Sequence, residues 1–350
     1  MFLHLPTAIG PINTTPELHR KVTEPMALHI SRRSLIAKSA AGTVLVAAAG
    51  SPAVFAQDDK PTIKVGSKDF TESILLGEVI AQLLEGNGFS VERQLNLGGT
   101  LVAHEALVNG DIDTYVEYTG TGLLAILGQE LPEREESSPE ATAGATPAGG
   151  GGIAQQVYDI VAEAYPEEFG VEWLEPWGFN NTYALAMRSD QAEELGITTI
   201  TELVEHAPDL VIGAPQETLV REDGIPGLEA TYGLEFKDIV GLDPGLMYSA
   251  IDNGDVDVIT AFATDARIES LNLQLLEDDL QFYPPYFAAP VVRQDTLEKA
   301  PDLRDILNSV VGTLDDARMT ELNYFVDEEG QEMEDVARTF LEEEGLVSGE

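Results

Sequence analysis

Four aromatic residues, Tyr118, Tyr183, Phe262 and Tyr286, fall at the ends of expected strands or where the chain would cross between lobes. Core aromatics usually lie on apolar faces, so this placement points to rings that line a cleft. Four such faces can enclose a quaternary ammonium head group, each contributing about 0.5–2 kcal/mol by cation–π attraction as the cation loses its water. A box of three or four rings would support binding near the micromolar range, about −8 kcal/mol, after ordering and rigid-body costs. An anionic end on the same ligand would need donors, and three lie near strand ends: Lys68, Thr121 and Arg221, the last able to hold a carboxylate through two parallel bonds. In a chain with 19 lysines and arginines against 62 acids, Lys68 and Arg221 stand out. The plainer alternatives are a surface salt bridge for either cation, and a core or rim position for any one aromatic taken alone.

The elements that must position these residues show a repeat. "NGDIDTYVEYTGT" at 109–121 returns as "NGDVDVITAFATD" at 253–265, 144 residues later, and the match extends upstream to Ala106-Leu107 and Ala250-Ile251. The repeated unit reads as helix, turn, strand. Asn-Gly-Asp supplies a residue that tolerates positive φ and stops the helix, and the apolar residues that follow read as a buried strand. Each strand ends on an aromatic, Tyr118 or Phe262, followed by small and hydroxyl residues suited to opening the next helix. Ligands of open α/β sheets sit beyond the carboxyl ends of strands, so two such units would each present one aromatic to a site shared between two lobes.

The rest of the chain follows an α/β rhythm. "TIKVGSKDF" (62–70) reads as a strand running into a helix with Ile74, Leu75, Val79, Ile80, Leu83 and Leu84 at helical spacing, and a further strand near "SVERQLNL" leads to the first repeated unit. Residues 133–152, rich in Pro, Gly, Ala, Ser, Thr and Glu without apolar periodicity, read as a disordered surface insertion. A second α/β series starts at "WGFNNTYALAMR" (177–188), and an all-helical tail follows "DLQFYPPYFAAPVVR" (279–293). Both aromatic-rich crossings, near 178 and 283, imply a discontinuous first lobe: 57–178 with 283–350, and a second lobe over 179–282.

Residues 1–56 read as an export signal: Ser31-Arg32-Arg33 precedes a mild apolar stretch, and Val54 and Ala56 suit a cut after Ala56. The paired arginines resemble a twin-arginine signal, with ordinary secretion as the alternative since Lys38 falls one place late, and Met26 is an alternative start. The chain has no cysteine, which removes disulfides, thiolate chemistry and a lipid anchor through Cys. A net charge of −43 argues against nucleic-acid partners. The acids are spread over expected helix faces without EF-hand spacing, which suggests a solvated surface of a kind suited to high salt, where self-repulsion is screened. Of five histidines, only His104 and His206 lie beyond residue 56, and neither has an evident nucleophile beside it. No Gly-Lys-Ser/Thr phosphate loop occurs, so an enzyme is the remote reading and no metal or cofactor is expected.

"GSKDFTESILLGEVIAQLLE", "GGTLVAHEALVNGDIDTYVEYTGT", "NNTYALAM", "LMYSAIDNGDVDVITAFATDARI" and "LEDDLQFYPPY", in this order over about 62–347, resemble the substrate-binding proteins of osmoprotectant ABC importers. The resemblance implies a two-lobed periplasmic-binding-protein fold of type II, closing on glycine betaine, proline betaine or a related solute and delivering it to a membrane permease. It implies an aromatic box of Tyr118, Tyr183, Phe262 and Tyr286, carboxylate-binding groups at Lys68, Thr121 and Arg221, and a polar residue beside the ligand at Asn181. Similar family proteins commonly have Tyr where this chain has Phe262. A monomer is expected, and choline, carnitine or another organic cation that bypasses the carboxylate donors is the alternative ligand.

Overall fold

The structure, a computed structural model, describes residues 60–132 and 152–348; the expected export signal and all but Gly152 of the expected insertion lie outside the described residues. The described residues form two five-stranded sheets. One holds β1 (Thr62–Gly66), β2 (Ser90–Gln94), β3 (Thr114–Tyr118), β4 (Val171–Trp173) and β10 (Ala288–Arg293), in the order β2-β1-β3-β10-β4. The other holds β5 (Tyr183–Arg188), β6 (Val211–Pro215), β7 (Asp238–Leu242), β8 (Val258–Phe262) and β9 (Leu273–Leu275), in the order β7-β6-β8-β5-β9. The repeated strands β3 and β8 are therefore the central strands of their sheets.

The helix before each repeated strand stops where the sequence offers a left-handed residue. Helix α1 (Thr71–Gly86) buries Leu75, Leu76, Val79, Ile80, Leu83 and Leu84 along one flank, as the 3.6-residue spacing requires. Helix α2 (Thr100–Asn109) ends at Gly110 with φ 79°, and the second copy's helix, Pro244–Asn253, ends at Gly254 with φ 75°. At either site a side chain would strain the backbone. The apolar run after each glycine is buried on both faces of its sheet.

Beside each repeated strand the sheets depart from an all-parallel doubly wound pattern. β1, β2 and β3 run parallel, but β10 lies antiparallel to β3; β6, β7 and β8 run parallel, but β5 lies antiparallel to β8. β5 and β10 are the first strands after the chain crosses from one sheet to the other, and each enters its new sheet from the crossing side. The two crossings lie against each other: Asn180 and Phe287 form an antiparallel bridge, the Asn181 N–H donates to Tyr286 O at 3.1 Å, and the Tyr286 N–H donates to Asn180 Oδ1 at 2.6 Å. After β10 the chain is helical, and its last helix, Met333–Glu343, buries Val336, Ala337, Phe340 and Leu341. No helix among the described residues is long and apolar enough to cross a membrane.

Candidate functional site

The carboxyl ends of β1, β3, β6 and β8 meet around one cavity of about 270 Å³. Its lining includes Lys68, Tyr118, Thr121, Asn181, Tyr183, Phe262 and Tyr286, so seven of the eight residues singled out from the sequence meet at one place. The rings form a continuous wall. Tyr183 and Phe262 lie directly opposite each other across the β5–β8 pair, with ring centroids 5.3 Å apart, and Tyr286 stands edge-on to Tyr183 at 5.3 Å and 89°. Phe70, at the start of α1, joins the two lobes' aromatics: it stacks on Phe262 at 5.2 Å and 7°, and lies 6.1 Å from Tyr118. Two faces already meet protein cations, Lys68 Nζ 5.1 Å from the Tyr118 ring and the Arg221 guanidinium 5.8 Å from that of Tyr183.

The eighth residue, Arg221, is buried behind the wall rather than in it. It donates through Nε to Asp223 Oδ1 at 2.7 Å, through Nη1 to Glu217 Oε1 at 2.9 Å and to Thr100 Oγ1 at 3.2 Å, and pairs again with Asp223 through Nη2. Burial opposes its charge, but Tyr183, Asp223 and Glu217 more than offset that and hold it well above the usual arginine range. Lys68 is likewise engaged, through an ion pair with the fully buried Glu117 and a 3.2 Å bond to Thr100 Oγ1. Glu117 also accepts the Tyr115 hydroxyl at 2.9 Å and the Tyr118 N–H at 2.7 Å, which satisfies a charge in the middle of a buried strand.

The Tyr118 and Tyr286 hydroxyls are anchored by acids. Tyr118 donates to Glu72 Oε1 at 2.6 Å and Tyr286 to Asp223 Oδ2 at 2.9 Å; burial, then the neighbouring carboxylate, pushes both phenols well above their ordinary range. Each of these two rings is thereby held through its hydroxyl, whereas Phe262 has no such anchor. Glu72 also accepts Asn181 Nδ2 at 2.8 Å, the Thr264 hydroxyl and Asn323 Nδ2 at 3.1 Å, so Asn181 lines the cavity while its side-chain amide is tied to Glu72 of α1. Burial raises the Glu72 carboxyl despite these four donors.

Sequence reasoning missed Phe70 and the acids Asp69, Glu72, Glu117, Glu217, Asp223 and Asp243. Asp69 and Phe70 directly follow Lys68 at the carboxyl end of β1, where ligands of such sheets bind, so their position alone could have nominated them. Asp69 lines the cavity, and burial, with Glu217 and Asp243 nearby, lifts its carboxyl above the usual range against the pull of a backbone hydrogen bond and Lys68. Among the described residues no group of three or more His, Asp or Glu could hold a metal ion.

Residues 61–343 match the family described as the substrate-binding domain of an ABC-type glycine betaine transport system. The chain is 33% identical over 293 residues to the carnitine transport binding protein OpuCC of Listeria monocytogenes, covering 83% of this chain and 89% of that one. It is 34% identical to a glycine-betaine-binding protein of Pseudomonas aeruginosa, covering 82% of this chain and 89% of that one. Among solved structures it is similar to one described as a glycine betaine/carnitine/choline ABC transporter, with a TM-score of 0.61 and 27% identity over 81% of this chain and 99% of that one.

Proposed function

The chain belongs to the family of substrate-binding domains of ABC-type glycine betaine transport systems, and from that premise we propose that it captures a quaternary-ammonium compatible solute in the aromatic cavity. Its family consists of extracytoplasmic transport binding proteins rather than enzymes, which work with a membrane permease. The ligands named for the relatives and the solved neighbour, carnitine, glycine betaine and choline, share a trimethylammonium head and differ at the other end. The observation that carries the reading is the ring wall: Tyr118, Phe70, Phe262, Tyr183 and Tyr286 succeed one another at centroid spacings of 5.2–6.1 Å around one cavity. Such a wall offers a head group several π faces and few competing donors.

In this reading the ammonium lies among the rings, and the carboxylate of a betaine points toward Thr121, Lys68 and, behind the wall, Arg221. Closure is a population shift, since Phe70 and Tyr118 come from one sheet's side and Tyr183 and Phe262 from the other. A choline-type cation is favoured as the second reading by one observation: Lys68 and Arg221 are both already paired with protein carboxylates. Titration calorimetry of residues 57–350 against glycine betaine, proline betaine, choline and carnitine tests the proposal. Micromolar binding of at least one, weakened about tenfold or more by Tyr183→Ala, is the expected result. Binding that ignores Tyr183→Ala, or no binding of any of the four, would overturn it.

A further inference from the structure

One acid on the cavity wall has only donors for partners. Glu217 lies in the short turn Gln216–Leu219 that follows β6. Across the cleft its Oε2 accepts the Thr100 N–H at 2.7 Å and its Oε1 accepts the Thr100 hydroxyl at 3.3 Å, while Arg221 Nη1 donates to Oε1 at 2.9 Å. Thr100 is the first residue of α2, and its N-cap, Gly99, has no side chain to cap the helix. Glu217 supplies that cap from the other lobe, where helix N–H groups and the helix dipole favour an anion. Gly99 makes the approach possible, because a Cβ there would lie 2.5 Å from Glu217 Oε2.

The layering has a chemical consequence. Glu217 lines the cavity, whereas Thr100 and Arg221 stand behind it, so donors well suited to a ligand carboxylate are screened by a carboxylate the protein itself provides. The lining also carries Asp69 and Asp243 against one cation, Lys68, which is paired with Glu117. The wall is complementary to a cation and already supplied with an anion.

Resting on the quaternary-ammonium reading above, we propose that Glu217 sets the cleft's preference between organic cations and zwitterions. A betaine's carboxylate competes with Glu217 for Arg221 Nη1 and the Thr100 donors. A quaternary ammonium alcohol leaves Glu217 in place and gains from its charge.

The test is calorimetry of choline and glycine betaine, at one ionic strength, on the wild type, Glu217→Gln and Gly99→Ala. Glu217→Gln removes the charge with little change of shape. Gly99→Ala keeps the charge and pushes the carboxylate off its seat, giving an independent route to the same effect. In both variants the ratio of betaine Kd to choline Kd is expected to fall by about tenfold or more, mainly through weaker choline in Glu217→Gln and through tighter betaine in Gly99→Ala, where the donors are freed. A ratio unchanged in both, with the two ligands weakened alike, would make Glu217 a latch between the lobes and overturn its role in selectivity. A wild type that takes neither ligand would instead remove the quaternary-ammonium reading, and the proposal with it.

Discussion

In the first copy of the repeated unit, Asp113 Oδ2 accepts the Lys64 N–H at 2.8 Å and the Asp113 N–H donates to Lys64 O at 2.8 Å; in the second, Asp257 Oδ2 accepts the Val211 N–H at 3.0 Å and its N–H donates to Val211 O at 2.8 Å. The turns before them match as well, Asp111 donating to Ala106 O and Asp255 to Ala250 O, both at 2.9 Å. Where the strands leave their sheets the likeness ends. Glu117-Tyr118-Thr119-Gly120 in one copy stands where Ala261-Phe262-Ala263-Thr264 stands in the other. The first exit carries a buried charge and a hydroxyl-anchored ring. The second carries neither, and its ring stacks on Phe70 from the opposite lobe. Strand starts are constrained by the sheet they must join, while strand ends face the cleft and are free to differ.

The widest gap between the copies is at Glu117 and its counterpart Ala261. Glu117→Ala would give the first exit the second's residue, but it would strand the buried Lys68 ammonium without its partner. Removing one member of a buried pair costs about 3–5 kcal/mol, so urea unfolding of this variant should show a loss of that order. A loss under about 1 kcal/mol would mean that the charge at the first exit is incidental. Lys68→Met combined with Glu117→Ala should recover much of the loss, because no charge is then left unpaired.

At the strand starts the comparison predicts equality. Asp113→Ala and Asp257→Ala each remove a carboxylate that accepts a backbone N–H of the neighbouring parallel strand through Oδ2 and side-chain donors through Oδ1, Thr296 in the first copy, Gln191 and a 3.4 Å contact from Arg188 in the second. Hydrogen bonds to charged groups contribute about 1.5–3 kcal/mol, and the two losses, read from the same urea curves, should agree within about 1 kcal/mol. A large inequality would show that the repeated sequence serves different ends in the two lobes.

Much of this architecture was legible before the structure. The glycine stops, the two strand ends and the aromatics at the crossings have local signatures in spacing and residue type, because a left-handed turn or a buried strand admits few residues. The antiparallel entry of β5 and β10 was not legible, since a strand's own pattern does not encode which neighbour it meets or in which direction. The acids behind the rings were hidden for another reason. With 62 acidic residues in the chain, Glu72, Asp223 and Glu217 look in sequence like any solvated carboxylate. Glu117 did leave a sign: a charged residue inside the buried run "TYVEY" needs a partner, and the lysine of "GSKDF" was the cation at hand.

Glu72 is where the two exits meet, taking the Tyr118 hydroxyl from the first copy and the Thr264 hydroxyl from the second, and it gives the smallest of the expected effects. Burial raises its carboxyl above the ordinary value, so the folded protein holds this proton at a pH where the unfolded chain has released it. Between the unfolded and folded values the native state binds more protons, and stability falls as pH rises through that window. Above the folded value the cost of the buried charge is constant, and below the unfolded value it vanishes. Glu72→Gln lacks this titration. The stability of the wild type minus that of the variant should therefore increase as pH is lowered from neutral into the carboxylate range, when both are measured by urea unfolding at fixed ionic strength. A difference that stays flat, or shrinks on acidification, would mean that the four donors outweigh burial and hold Glu72 ionised between the lobes.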